Sequence, residues 1–200
     1  VIEASGARGR ERHQVPGDAT LLLVFGGSLG AKTINERMVA LKRELLAVDN
    51  LYVIHSTGQD GFDDTARALA LTPEQAVRWR VMPYIDDMGD VLAAADLVLS
   101  RAGASSIAEI AALGVPSLLV PYPFATADHQ TTNARYLTDA GAAVLMSDDE
   151  VPTRAFADEL MGLLGDAERR GRMRVAARGL AATSAAVALA DETEKVAGGD

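Results

Sequence analysis

The fold is decided by the stretch TLLLVFGGSLGAKTIN, which occupies Thr20–Asn35. Its first six residues are apolar apart from the threonine, which is typical of a strand buried on both faces of a parallel sheet. Gly26, Gly27 and Gly30 follow this run, and a helical pattern begins at Ala31. The stretch therefore predicts a βα unit whose glycines let a ligand approach the main-chain N–H groups at the helix start.

The alternation of strand and helix patterns continues along the chain. It predicts an α/β fold with a doubly wound, mostly parallel, six-stranded, Rossmann-like sheet. Strands are predicted at Thr20–Phe25, Leu51–His55, Val77–Met82, Asp96–Ser100, Pro116–Val120 and Ala142–Met146. Helices are predicted at Ala31–Val48, Asp60–Leu71, Asp87–Ala95, Ser105–Leu113, Gln130–Ala140, Thr153–Leu164 and Asp166–Leu189.

Composition sets limits on function. The chain has 200 residues, a net charge of -9 and no cysteine. The acidic balance disfavours a nucleic-acid partner, and the lack of cysteine excludes disulfides and thiolate metal sites. No apolar run approaches the ~20 residues that a membrane-spanning helix needs. We predict a linker at 1–19 that follows an amino-terminal domain outside this chain, a ligand-binding domain at 20–190 and a polar tail at 191–200.

The loops that follow the strands form the candidate site, because ligands of such sheets bind at the carboxyl ends of the strands. These loops are GGSLGA at 26–31, HSTG at 55–58, PYIDDM at 83–88, RAGASS at 101–106, and PYP at 121–123, which leads to DHQ at 128–130. A nicotinamide site is excluded, since the glycine spacing is not G-x-G-x-x-G and His55 stands where a ribose-binding Asp or Glu is expected. The glycine loop alone is also compatible with a plain strand-to-helix turn.

The fourth loop carries hydroxyl and carboxylate groups. Ser105 and Ser106 lie at the predicted start of the helix SSIAEIAALG, and Glu109 follows one turn later on the same face. Helix-start N–H groups suit a phosphate, and a carboxylate can accept hydrogen bonds from both hydroxyls of a ribose. The alternative is an ordinary serine cap with a glutamate in the first turn. The neighbouring glycine loop favours the phosphate and ribose interpretation.

Other polar residues leave two interpretations open. The backbone at Tyr84 and Ile85 can read the edge of a base, or these side chains simply pack. Arg101 can assist a charged leaving group, or it can pair with a nearby carboxylate. The aspartate pairs at 63–64, 86–87 and 148–149 fit helix and turn starts better than a metal site, and the histidines lack the spacing of zinc ligands. We therefore predict no metal and no other cofactor.

Four longer motifs carry a family resemblance: VFGGSLGAKTINE, HSTG, PYIDDMGDVLAAADLVLSRAG and SSIAEIAALGVPSLLVPYPFATADHQTTNARYLTDAGAA. In order and spacing they resemble the carboxyl-terminal half of the family 28 glycosyltransferases of the GT-B class. The resemblance implies that 20–190 is a UDP-sugar-binding domain and that Ile85 offers backbone groups to uracil. It implies donor contacts from Gly27, Ser28, Gly30, His129 and Gln130, with the last two on the sugar. It places the diphosphate and ribose at Ala104, Ser105, Ser106, Ile107, Ala108 and Glu109.

The family transfers N-acetylglucosamine from UDP-N-acetylglucosamine to lipid I, a lipid-linked muramyl-pentapeptide, in peptidoglycan synthesis. The resemblance thus implies the donor-binding half of a hexosyltransferase of cell-wall biogenesis, cell division and cell shape. It also implies peripheral contact with the cytoplasmic face of the bacterial membrane. The catalytic base and the acceptor surface are expected in the amino-terminal domain, so this chain alone is expected to be inactive. Two alternatives stay open: another GT-B enzyme, such as a UDP-N-acetylglucosamine 2-epimerase or a lipid glycosyltransferase, and a nucleotide-binding module without activity.

Overall fold

A computed structural model describes residues 3–27, 30–125 and 128–180 of the chain. Its strands are β1 (Thr20–Phe25), β2 (Leu51–Ser56), β3 (Trp79–Met82), β4 (Leu97–Ser100), β5 (Ser117–Leu119) and β6 (Ala143–Leu145). Its helices are α1 (Gly6–Arg12), α2 (Lys32–Ala40), α3 (Lys42–Leu46), α4 (Phe62–Leu69), α5 (Pro73–Arg78), α6 (Met88–Ala94), α7 (Ala104–Leu113), α8 (His129–Thr138), α9 (Arg154–Gly165) and α10 (167–180).

The strands form one sheet in the order β3-β2-β1-β4-β5-β6, and every neighbouring pair is parallel. The strand order reverses at β1, which lies between β2 and β4. This is the doubly wound topology that the alternating apolar runs predict, and the α/β expectation is confirmed.

Helices cover both faces of the sheet, so the central strands are buried on both sides. Along β1, Leu21 and Leu23 pack into the layer under α6, α7 and α8, whereas Leu22 and Val24 pack into the layer under α2, α3 and α9. All four side chains are fully buried. Successive side chains of the strand therefore point alternately into two separate cores, which explains why its sequence is apolar throughout.

Most element ends lie one or two residues from those predicted, and two differences change the elements themselves. The helix expected at Ala31–Val48 is divided into α2 and α3 at Leu41. The strand expected at Val77–Met82 begins only at Trp79, because a capping box between Thr72 and Gln75 starts helix α5 before it. The capping box is visible in the sequence as TPEQ, but the apolar residues that follow it favour a strand.

The segment at 1–19, which is predicted to be a linker, contains helix α1 in its described part. This helix lies so close to α6 that a Cβ atom on Gly9 would be 2.3 Å from the carbonyl oxygen of Asp90. Arg8 forms an ion pair with Asp90 at 2.9 Å, and Arg10 forms one with Asp96 at 2.8 Å. Glycines and arginines make these contacts, so no apolar stripe marks the helix in the sequence. Its place after another domain stays a prediction.

Among the helices in the described ranges, none is long and apolar enough to cross a membrane.

Candidate functional site

The candidate site lies where the carboxyl ends of the central strands meet. Phe25 at the end of β1 is in register with Ser56 of β2 and with Ser100 of β4, so the loops after these strands leave the sheet at one level. The helices that follow β1 and β4 pack on opposite faces of the sheet. A crevice between two such loops is the usual ligand site of an open α/β sheet.

The glycine loop after β1 is shaped by contacts that only glycine allows. Gly30 has a φ of 76°, and a Cβ atom there would be 2.1 Å from the carbonyl oxygen of Thr57. Gly27 has a φ of 86° and faces open space, where a ligand can approach the backbone. Gly27 and Gly30 thus lie at the rim as predicted, whereas Ser28 falls outside the described residues.

Helix α7 begins at this rim, after β4, and no side chain caps its first turn. The N-cap residue is Gly103, which makes no side-chain hydrogen bond. The first intrahelical acceptor, the carbonyl of Gly103, is taken by the N–H of Ile107 at 2.9 Å. Within the described residues the N–H groups of Ala104, Ser105 and Ser106 have no acceptor, which is the arrangement that binds an anion.

The side chains at this end of α7 also lack hydrogen-bond partners in the described part of the chain. Ser105 is exposed, Ser106 and Glu109 are partly buried, and none of the three hydrogen bonds to another described residue through its side chain. The serine-cap alternative therefore does not hold. Ala104 and Ala108 are exposed, whereas Ile107 is buried in the core, so that its side chain faces away from a rim ligand.

The loop after β3 contains Ile85, whose side chain is 1% exposed, while the neighbouring Tyr84 is 57% exposed. Packing therefore accounts for Ile85 and not for Tyr84. The backbone N–H and C=O of Ile85 make no hydrogen bond within the described part of the chain. These two groups are the kind of fixed donor and acceptor that can read a base edge.

Gln130 connects two rim loops in a way that sequence reasoning did not foresee. Its Oε1 accepts hydrogen bonds from the backbone N–H of Ala102 at 3.2 Å and from that of Tyr122 at 2.9 Å. Asn133 adds a hydrogen bond from Nδ2 to the carbonyl of Ala102 at 3.1 Å. Because both partners of Gln130 are donors, its amide oxygen faces them and its Nε2 is not used by these contacts. His129, at the start of α8, is exposed.

The structure decides between the two interpretations of Arg101. The side chain is buried, and its Nη1 lies 2.6 Å from Oδ1 of Asp148 and 3.1 Å from the carbonyl oxygen of Pro121. Thr33 donates a hydrogen bond to the other oxygen of Asp148 at 3.1 Å. Arg101 is thus a structural partner of a carboxylate, and this network fixes the start of α2 against the β5 and β6 loops.

The aspartate pairs have more than one role. Asp63 and Asp64 lie in the first turn of α4 and Asp87 is the N-cap residue of α6, as predicted. Asp87 also contacts Arg12 and His13, each at 3.2 Å. Asp148 begins a turn at 148–150, as predicted, and also pairs with Arg101. No group of three or more His, Asp or Glu side chains in the described ranges is placed to hold a metal ion.

His55, expected at the rim, is fully buried beneath it. Burial lowers the pKa of its imidazole to about 3, so the ring is neutral at physiological pH. Its Nε2 lies 2.9 Å from Oδ1 of Asn35, and Nδ2 of Asn35 donates to the carbonyl of Thr57 at 2.9 Å. This buried chain lies directly under the glycine loop.

Comparison with known proteins gives consistent matches. Residues 21–190 match the model of the glycosyltransferase family 28 C-terminal domain. The UDP-N-acetylglucosamine–N-acetylmuramyl-(pentapeptide) pyrophosphoryl-undecaprenol N-acetylglucosamine transferase of Desulforudis audaxviator is 38% identical over 99% of this chain and 54% of its own length. The protein of the same name from Chlorobaculum parvum is 45% identical over 87% of this chain and 46% of its own length.

A crystal structure of MurG from Acinetobacter baumannii superimposes with a TM-score of 0.71 at 34% identity, over 86% of this chain and 48% of that one. The chain thus spans about half the length of the curated relatives it matches.

Proposed function

Because the chain belongs to glycosyltransferase family 28, whose C-terminal domain it matches, we propose that it binds UDP-N-acetylglucosamine as the donor half of an N-acetylglucosaminyltransferase. The name of the relatives includes the donor and a pyrophosphoryl-undecaprenol acceptor. We propose the same donor and acceptor for the protein of which this chain is the donor-binding part.

One observation carries the donor assignment. At the rim, helix α7 begins with the N–H groups of Ala104, Ser105 and Ser106 lacking acceptors within the described chain, and Glu109 follows on the same face. These N–H groups and hydroxyls suit the diphosphate, and the carboxylate of Glu109 suits the two ribose hydroxyls. The open backbone at Gly27 lets the donor approach from the neighbouring strand.

The remaining parts of the donor fall to neighbouring loops. Uracil binds at the unused backbone groups of Ile85, because a fixed donor and acceptor leave a mismatched base with unpaired polar groups. The sugar binds beside α8, where Nε2 of Gln130 remains as a donor while Oε1 is held by two backbone N–H groups. His129 is exposed at the same helix start and is assigned to the sugar with it.

In the transfer step the acceptor hydroxyl oxygen forms a bond to C1 of the sugar. The bond from C1 to the β-phosphate oxygen breaks with its electron pair, so UDP leaves and its charge grows at the diphosphate. Main-chain dipoles at the start of α7 stabilise that charge. The proton of the acceptor passes to a base, which we assign to the part of the protein outside this chain. The undecaprenol in the relatives' name supports a position at a membrane, and we propose a peripheral protein on its cytoplasmic face.

Calorimetry on the chain tests the donor assignment. We expect binding of UDP and UDP-N-acetylglucosamine, weak or no binding of ADP- and GDP-sugars, and the same affinity with and without EDTA. Comparable affinity for all three nucleotides would overturn the assignment of Ile85. Loss of binding in EDTA would reveal a metal site. Profiling UDP-glucose and UDP-galactose in the same way separates an N-acetylglucosamine site from that of another UDP-sugar enzyme.

A transfer assay tests the division of labour. We expect no transfer when the chain is mixed with radiolabelled UDP-N-acetylglucosamine and a lipid I analogue, because the acceptor surface and the base are assigned to another part of the protein. Transfer by the chain alone would show that the catalytic groups lie within these 200 residues.

A further inference from the structure

Asn35, His55 and Thr57 form a buried chain of hydrogen bonds below the rim. His55 is 0% exposed, and Asn35 is 5% exposed, with an edge on a surface cavity that is also lined by Lys32 and Gly61. Nδ2 of Asn35 donates to the carbonyl of Thr57, which leaves Oδ1 of Asn35 as the acceptor of the N–H on Nε2 of His55. The geometry thus requires a proton on Nε2, and Nδ1 has no partner among the described residues.

The end of this chain touches the glycine loop. A Cβ atom added to Gly30 would lie 2.1 Å from the carbonyl oxygen of Thr57, and one added to Gly61 would lie 2.9 Å from the same oxygen. Two glycines therefore close around one carbonyl oxygen, and Asn35 supplies its hydrogen bond. The position of Thr57 sets how far the backbone at Gly30 can move toward β2.

The same residue is fixed to the loop that contains Ile85. The backbone N–H of Thr57 donates to the carbonyl of Met82 at 3.0 Å, and its hydroxyl oxygen lies 3.0 Å from the carbonyl oxygen of Gly58 and 3.3 Å from that of Met82. Ser56 adds a longer contact of 3.5 Å to the carbonyl of Pro83. Thr57 consequently connects the glycine loop with the loop that contains Ile85, and both belong to the candidate donor site.

We propose that Asn35 and His55 are positioning residues that hold Thr57 against Gly30 and so set the spacing of these two loops for donor binding. This inference rests on the proposed function. A buried polar pair that served stability alone could be replaced by apolar groups at little cost. A positioning pair cannot, because without the amide donor the Thr57 carbonyl and the glycine loop are free to separate.

The test compares variants that differ in the hydrogen bond while keeping the site filled. His55→Phe keeps a buried ring and removes the donor to Asn35, whereas His55→Gln keeps an N–H donor close to the place of Nε2. Leu163→Ala is the control for stability, since Leu163 is fully buried in the same core layer but belongs to α9. Asn35→Ala provides a second variant should His55→Phe not fold.

We expect His55→Phe and Asn35→Ala to weaken UDP-N-acetylglucosamine binding about 3- to 10-fold in calorimetry, the effect of one buried neutral hydrogen bond. His55→Gln should stay within about 2-fold of wild type, and Leu163→Ala should lose stability with unchanged affinity. In an ¹H–¹⁵N spectrum the Gly30 amide should shift in His55→Phe and not in Leu163→Ala.

Two outcomes separate the two proposals. Wild-type chain that binds no UDP-N-acetylglucosamine refutes the proposed function, and the Gly30 amide then still reports whether His55 positions the loop. Wild-type binding with unchanged affinity and an unchanged Gly30 amide in both His55→Phe and Asn35→Ala overturns the positioning role. A loss in His55→Gln as large as that in His55→Phe also overturns it, because the hydrogen bond would then be irrelevant.

Discussion

Nη1 of Arg101 lies 2.6 Å from Oδ1 of Asp148, and this ion pair joins the end of β4 to the loop after β6. Both side chains are largely buried, with 9% and 19% of their surfaces exposed. Nη1 also donates to the carbonyl oxygens of Val120 at 3.3 Å and Pro121 at 3.1 Å, so its two hydrogens meet backbone acceptors while its contact with Asp148 is an ion pair. The relationship decides what a substitution of Arg101 should do.

Arg101→Ala should lower the free energy of unfolding by about 3 kcal/mol, because it leaves the Asp148 carboxylate buried without its charge partner. Urea denaturation measures the change. Arg154→Ala is the matched control, since Arg154 pairs with Asp158 on an exposed helix face and should shift stability by less than about 1 kcal/mol. A loss for Arg101→Ala no larger than that for Arg154→Ala would show that the pair is not structural.

Glu109→Ala should weaken UDP and UDP-N-acetylglucosamine to the same extent, because the ribose is common to both ligands. The loss of charge-assisted hydrogen bonds is expected to cost about 1.5–3 kcal/mol, or roughly 10- to 150-fold in affinity. Glu168→Ala serves as the control, since this carboxylate is 93% exposed on α10. Unchanged affinity in a folded Glu109→Ala variant would remove Glu109 from the site.

Gln130→Ala should harm UDP-N-acetylglucosamine binding more than UDP binding, because Nε2 is proposed to meet the sugar. The same substitution leaves the N–H groups of Ala102 and Tyr122 without their acceptor, so stability should also fall by about 1–3 kcal/mol. Calorimetry with both ligands and thermal unfolding separate the two effects. Equal weakening of UDP and the sugar nucleotide would mean that Gln130 only fixes the loops.

Gly30→Ala should lower the free energy of unfolding by more than about 1 kcal/mol, because its φ of 76° disfavours a side chain and the new Cβ atom would meet the Thr57 carbonyl at 2.1 Å. Gly162→Ala is the control: Gly162 lies inside α9 with open space around it, and alanine should leave stability unchanged or raise it slightly. Equal effects of the two substitutions, measured by denaturant titration, would contradict the close contact under the glycine loop.

Stability should depend on pH through His55. In the unfolded chain this ring takes up a proton as pH falls below 6.5, whereas in the folded chain its pKa is lowered to about 3 by burial. As pH is lowered from 6.5 to 3, the free energy of unfolding should therefore fall by at most ~1.4 kcal/mol per pH unit, with no such effect above pH 6.5. His55→Gln should flatten this dependence, and the exposed His129→Gln should not. Parallel slopes for wild type and His55→Gln would contradict the buried neutral ring.

The apolar runs of the sequence were enough to predict the sheet, since burial on both faces leaves no polar position in a central strand such as β1. They could not place the start of β3 or reveal α1, because local capping in one case and contacts of glycines and arginines in the other decide those elements. The motif at α7 likewise predicted that Ser105, Ser106 and Glu109 share one face.

The sequence by itself determined that a glycine loop and a serine-containing helix start meet at the carboxyl edge of a parallel sheet. Only the tertiary structure decided that Arg101 pairs with Asp148, that Gln130 holds two backbone N–H groups, and that His55 lies buried under Gly30. The physical reason is that these roles depend on contacts between loops from different strands. The residue type determines which hydrogen bonds and ion pairs a side chain can form, and the packing of the fold determines which partner it meets.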